Sequence, residues 1–121
     1  MNKYRSLAAW QHAHALLINT LKATDGRNPA RTWNLFDQIR RAAISVEANI
    51  VEGYALSTAP QFKRHLKIAL ASAAEAETLL NAATELGYLP EACTENLLAH
   101  ADRAIGAIYG LLRSPKLRSS R

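Results

Sequence analysis

Thr58-Ala59-Pro60-Gln61-Phe62-Lys63-Arg64-His65-Leu66-Lys67-Ile68-Ala69-Leu70-Ala71-Ser72-Ala73-Ala74-Glu75-Ala76-Glu77-Thr78-Leu79-Leu80 is the stretch whose reading decides the fold. Thr58 and Gln61 stand at the spacing of a capping box, and Pro60 is tolerated in a first helical turn, where backbone N–H groups lack intrahelical partners. Behind that start, Phe62, Leu66, Ala69, Ala73, Ala76, Leu80 and Ala83 recur at alternating spacings of four and three, the stripe of an amphipathic helix. Gly87 supplies the stop, since glycine adopts the left-handed conformation at little cost. One long helix is therefore written into the middle of the chain.

Working outward, the same period recurs three more times. Leu7, Trp10, His14, Leu17 and Leu21 mark a helix from about Ser6 to Thr24, which Asp25-Gly26-Arg27-Asn28-Pro29 breaks. Leu35, Ile39, Ala42, Val46, Asn49 and Gly53 mark a second helix, from near Thr32 to between Gly53 and Leu56. Leu97, Ala101, Ala104, Ile108 and Leu111 mark a fourth, starting near Pro90. Pro115 is expected to end it and to leave residues 115–121 as a disordered basic tail, with residues 1–114 forming the domain. Short connections favour antiparallel neighbours, so the expected architecture is all-α, an up-down-up-down four-helix bundle. Helices two and three also carry Ile44, Ile50, Ile68, Leu70 and Leu79 off their main stripes. One core uses about one stripe per helix, so this surplus points to self-association, or else to scattered surface apolars.

The chain has 121 residues, enough for one domain with a real core, and 49% of them are apolar. Its formal charge of +5 suits an acidic partner such as nucleic acid, or simply a basic soluble protein. Cys93 is the only cysteine, so no internal disulfide can form. No apolar run is long enough for a bilayer, the N-terminus lacks a signal-peptide stretch, and a cytoplasmic location is expected.

Three segments resemble a known family. Leu7-Ala8-Ala9-Trp10-Gln11-His12-Ala13-His14-Ala15-Leu16 is similar to an L-x-x-W-Q-x-A-H-x-L opening. Gln38-Ile39-Arg40-Arg41-Ala42-Ala43-Ile44-Ser45-Val46-Glu47-Ala48-Asn49-Ile50-Val51-Glu52-Gly53 is similar to Q-x-R-R-A-x-x-S-I-x-x-N-I-A-E-G. Phe62, Leu66, Ile68, Ala69, Ser72 and Glu75 follow F-x-x-x-L-x-I-A-x-G-S-x-x-E, and Gly87-Tyr88-Leu89 matches the turn before the last helix. These resemble the four-helix-bundle family named for proteins encoded in intervening sequences of 23S ribosomal RNA genes. Leu70-Ala71 departs from the family's Arg-Gly, and Val51 from its Ala. The resemblance implies a non-enzymatic homo-oligomer, typically a ring of five. Its relatives include accessory proteins of diversity-generating retroelements, which bind nucleic acid and a reverse transcriptase.

Charge placement adds to this reading. An up-down bundle gathers Lys3, Arg5, Lys63, Arg64, Lys67, Arg113, Lys116, Arg118 and Arg121 at one end, with Glu52 the only acid nearby. The other end mixes Lys22, Arg27, Arg31, Arg40 and Arg41 with Asp25, Asp37, Glu85, Glu91 and Glu95. Lys63, Arg64 and Lys67 sit in the first turns of a helix, where its dipole disfavours cations, so a polyanion is the expected partner. Lys63, Arg64, Lys67, Arg113, Lys116 and Arg118 are the candidate nucleic-acid contacts, made to phosphate and not to base sequence. The competing expectation is an interaction scaffold with no direct nucleic-acid role.

In helix two, Arg41, Ser45 and Glu52 share a face, but Arg41 and Glu52 are about 16 Å apart along the axis. They are expected to contact other helices or a neighbouring subunit, with Asp37 also in reach of Arg41. Asn49 and His14 fall on core stripes and are expected to be structural polar residues. His12 and His14 point different ways, as do His100 and Asp102 and the pair Glu75 and Glu77, so no metal-chelating set is expected. Ser45, Ser72 and Cys93 lack the neighbouring base that a nucleophile requires. No catalytic residue and no cofactor is therefore expected.

Overall fold

A computed structural model describes residues 3–26, 30–56 and 58–118. After a 3-10 turn at Lys3–Ser6 come α1 (Ala8–Thr24), α2 (Ala30–Ala55), α3 (Ala59–Glu85), α4 (Glu91–Leu112) and the short α5 (Pro115–Arg118). No strand occurs among the described residues. The four long helices pack in a closed cycle: α1 on α2, α2 on α3, α3 on α4 and α4 back on α1, the α2–α3 pair being the most extensive.

The ends of α3 are the clearest product of local sequence. The Thr58 hydroxyl accepts from the Gln61 N–H at 3.4 Å and donates to Gln61 Oε1 at 2.7 Å, so the two capping residues bond each other's side chains. At the far end Gly87 has φ +74°, and Tyr88 N–H reaches back to the Ala83 carbonyl at 2.8 Å. That bond closes the helix in the Schellman manner.

Between these ends, α3 buries Leu66, Ala69, Ala73, Ala76, Leu80 and Ala83 as the spacing predicts, and Phe62 packs at the core's edge. The α4 stripe likewise appears as Leu97, Ala101, Ala104 and Ile108. In α1 the buried line is instead Ala9, Ala13, Leu16, Thr20 and Thr24, with Trp10 beside it and Leu21 exposed. Both lines have helical spacing and differ by one residue in phase, so periodicity alone cannot choose between them. Small alanines let α1 come close to its neighbours; Trp10 joins the core beside them, whereas His14 and Leu17 border it. Within this line the Thr24 hydroxyl donates to the Thr20 carbonyl at 2.9 Å, satisfying a buried group inside the helix.

The apolar surplus divides in three. Ile50 is a fully buried core residue, which corrects its assignment to a second face. Leu70 and Leu79 pack partly buried against the core, whereas Ile44 and Ile68 stay exposed at 48% and 40%. The tail also differs from expectation. Pro115 opens α5, where proline suits a first helical position, and Leu117 is buried against the core. Residues 119–121 of the expected tail lie outside the described residues, as does Arg27.

Gly53 sets the closest approach of α2 to α3. A Cβ there would lie 2.6 Å from His65 Cβ and 3.1 Å from Phe62 Cδ1. The first of these atoms sits next to the α3 backbone, so it cannot swing aside. Gly53→Ala is expected to lower stability by about 1–3 kcal/mol through overpacking, although alanine favours helix by about 1 kcal/mol over glycine. Urea unfolding followed by circular dichroism would measure it.

Candidate nucleic-acid interface

The first turns of α3 contain no acidic residue, and its next turns present Lys63, Arg64 and Lys67. Arg64 and Lys67 are exposed and Lys63 is half-buried. With Pro60, Ile68 and Ala71 they line an open groove of about 590 Å³ along α3. The chain's C-terminal turn adds to this region. α5 packs on both α3 and α4, and Lys116 lines a second cavity together with Thr58 and Phe62 at the start of α3. Arg113, exposed at the end of α4, holds its guanidinium 6.0 Å from the Tyr109 ring centroid. Arg118 closes α5, its side chain lying outside the described set, and Arg121 is outside it altogether. Arg5 is already engaged: its guanidinium sits 5.2 Å from the Trp10 ring centroid and 5.9 Å from that of Tyr4.

The helix-two residues separate into inward and outward sets. Arg41 Nε donates to Asp37 Oδ2 at 2.8 Å within α2, and its side chain is 71% exposed, so its partner is the neighbour one turn away. Glu52 is also exposed. Ser45 is bonded within the chain, its hydroxyl 2.7 Å from that of Ser72 on α3. Asn49 donates to the Ser45 carbonyl at 2.9 Å and to the Ser45 hydroxyl at 3.1 Å. The Asn49 carbonyl oxygen is 2.9 Å from His65 Nδ1, which must carry the proton because that oxygen only accepts. Asn49 thus lies half-buried on the α3 side of its helix and not on the core line, and its amide is fully used. His65, placed by sequence among repelling cations, turns instead to this polar seam and reaches neither serine.

A second polar seam joins α1 to α2. Trp10 Nε1 donates to Glu47 Oε2 at 2.9 Å, and His14 Nδ1 lies 3.1 Å from both Glu47 oxygens. The His14 ring stacks on Trp10 at 4.8 Å with 15° between planes, and Tyr4 meets Trp10 edge-on at 5.5 Å. His14, expected on the core stripe, sits instead at the rim, with its side chain 44% exposed. Glu47, only 17% exposed, is the member that sequence reasoning missed. Its signal was indirect: two donors one turn apart on α1 require an acceptor on a facing helix.

Elsewhere, burial lowers the His100 pKa from its ordinary value of 6.5, with Arg103 and His12 adding to the effect. Burial, and then the charge of Asp102, raise that of Glu77 above 4.5. Among the described residues no group of three or more His, Cys, Asp or Glu side chains could hold a metal ion. Among them, too, no helix is long and apolar enough to cross a membrane.

The family described as 23S rRNA-intervening sequence protein matches the chain over residues 5–110. No curated protein sequence matches it significantly. A solved structure from Bacteroides thetaiotaomicron superposes with a TM-score of 0.81 and 18% identity, covering 88% of this chain and 96% of that one. That protein is described as one of unknown function from the S23 ribosomal protein family, and at this identity the likeness shows the shared fold.

Removing the acceptor common to Trp10 and His14 leaves a part-buried indole N–H without a partner. Glu47→Ala is expected to cost about 1–3 kcal/mol, whereas Glu95→Ala on the exposed side of α4 should change stability by less than about 0.5 kcal/mol. Thermal melts followed by tryptophan fluorescence and circular dichroism would compare the two.

Proposed function

The chain belongs to the 23S rRNA-intervening sequence protein family, and from that premise we propose that it is a non-enzymatic, homo-oligomeric accessory protein that holds nucleic acid through phosphate contacts at its basic end. The observation that carries this reading is the run of Lys63, Arg64 and Lys67 along one open groove of α3, with Lys116 of α5 lining a separate cavity at the start of the same helix. The first turn of α3 carries no acid, so this stretch of the helix is uniformly basic, and a bound polyanion supplies the complementary charge. The binding depends on charge and not on base sequence, and a reverse transcriptase is a fitting protein partner for such a complex.

The helices are read as alternating in direction. Along α2 from Asn49 back to Ser45, the partners on α3 advance from His65 to Ser72, which supports an up-down order. In this reading the chain is cytoplasmic, and its copies associate through the outward side of α2 and α3. There Arg41 and Glu52 stand exposed with the apolar Ile44 and Ile68. A ring of five such subunits would repeat the basic end around one axis and strengthen phosphate binding. Exposed Ile44 and Ile68 also suit a second reading, an interaction scaffold whose partner is another protein.

Fluorescence anisotropy with a labelled single-stranded oligonucleotide separates the two. Binding should weaken steeply between about 50 and 200 mM salt, and Lys63→Ala, Arg64→Ala and Lys67→Ala together should reduce it and flatten the salt dependence. Absence of binding at low salt, or binding indifferent to these three changes, would favour the scaffold. For the assembly, Glu52→Lys should shift the protein to a smaller species in size-exclusion chromatography with light scattering. An unchanged mass would remove Glu52 from the interface.

A further inference from the structure

The basic end holds a feature that charge alone does not explain. A cavity of about 330 Å³ opens where the end of α2, the start of α3 and α5 meet. Its lining includes Gly53 and Tyr54 of α2, Thr58 at the cap of α3 and Phe62 within it, and Lys116 and Leu117 of α5. The Tyr54 and Phe62 rings stand edge to face, 5.9 Å apart at 88°, and neither residue is fully buried. Leu117, 5% exposed, anchors the wall contributed by α5 and so fixes the neighbouring Lys116 at the rim. Two aromatic rings, an aliphatic side chain and a cation along one lining suit a ligand with a flat apolar part joined to an anionic part.

We propose that this cavity takes an unpaired nucleobase of a single-stranded nucleic acid, stacked against the Tyr54–Phe62 pair while Lys116 meets the adjoining phosphate. The proposal rests on the reading of the basic end as phosphate-binding and narrows its ligand. Basic grooves interleaved with aromatic side chains bind single strands, because every base offers a π-face and only unpaired bases can leave the stack. The volume suits a nucleoside-sized group, within the range of small-ligand pockets. Charge complementarity agrees, since among the described residues the ionised group that lines the cavity at neutral pH is Lys116, and Lys63 and Arg64 lie along the same end of α3. A base in the cavity would lead its strand past these residues.

The test compares two labelled probes of equal length and charge, an oligothymidylate and the same strand with abasic sites, by fluorescence anisotropy at low salt. The base-bearing strand should bind about tenfold more tightly to the unaltered protein, the range expected for one stacked base. Tyr54→Leu, with helicity checked by circular dichroism, should erase that difference while leaving abasic binding unchanged. Lys116→Gln, on the exposed surface of α5, should weaken both probes. Equal affinity of the two probes for the unaltered protein, with both weakened by the three α3 alanine changes, would overturn the cavity and leave the phosphate reading standing. No binding of either probe would overturn both.

Discussion

The close approach of α2 to α3 at Gly53 governs where the polar groups between these two helices go. With no side chain at that position, His65 and Phe62 can sit directly against α2. His65 then meets the Asn49 amide, and one and two turns further along, Ser45 meets Ser72. The seam is polar, yet each hydrogen bond spans or braces the same helix pair, so the cost of burying these groups is offset. A bundle held by apolar packing alone could slide by a turn. Hydrogen bonds at fixed intervals make one register preferable to its neighbours, since any slip would strand an amide or a hydroxyl.

The same packing shapes the candidate site. Tyr54 follows Gly53, and Phe62 faces both, so the aromatic pair at the basic end is a by-product of how tightly the helices close. α5 completes the arrangement by burying Leu117, which carries Lys116 to the α3 end. Packing and the shape of the cavity are coupled there, since Gly53 and Phe62 both set the α2–α3 distance and line the cavity. The Trp10–His14–Glu47 seam plays the matching role between α1 and α2. It anchors the first helix at its polar edge and keeps Arg5 stacked over the aromatic cluster.

The three candidate groups differ in how visible they were. Lys63, Arg64 and Lys67 could be read directly, because helical spacing and position in the first turns of α3 are local properties. Ser45 could be noticed but not assigned: an outward serine and one bonded to Ser72 look alike until the facing helix is known. Arg41 pairs one turn away with Asp37, the local alternative, and both Arg41 and Glu52 lie exposed on α2. Glu47 lay at an unremarked position because its donors come from α1, more than thirty residues earlier in the chain. Lys116 fell in a segment expected to be disordered, since a single leucine in a basic tail gives no periodic signal.

Sequence by itself determined the four long helices and where most of them begin and end. The 3–4 periodicity, the Thr58–Gln61 cap, the glycine at residue 87 and the prolines are all short-range effects, fixed by backbone geometry within a few residues. It also determined the charge of the α3 start, because that needs only the helix itself. Tertiary structure alone decided the phase of α1, where the alanine line, joined by Trp10, faces the core and Leu21 does not. It decided that Ile50 is interior while Ile44 is not, and that Leu117 docks. Each of these depends on which surface lies opposite and how near it comes, a distance that no spacing of residues along one helix encodes.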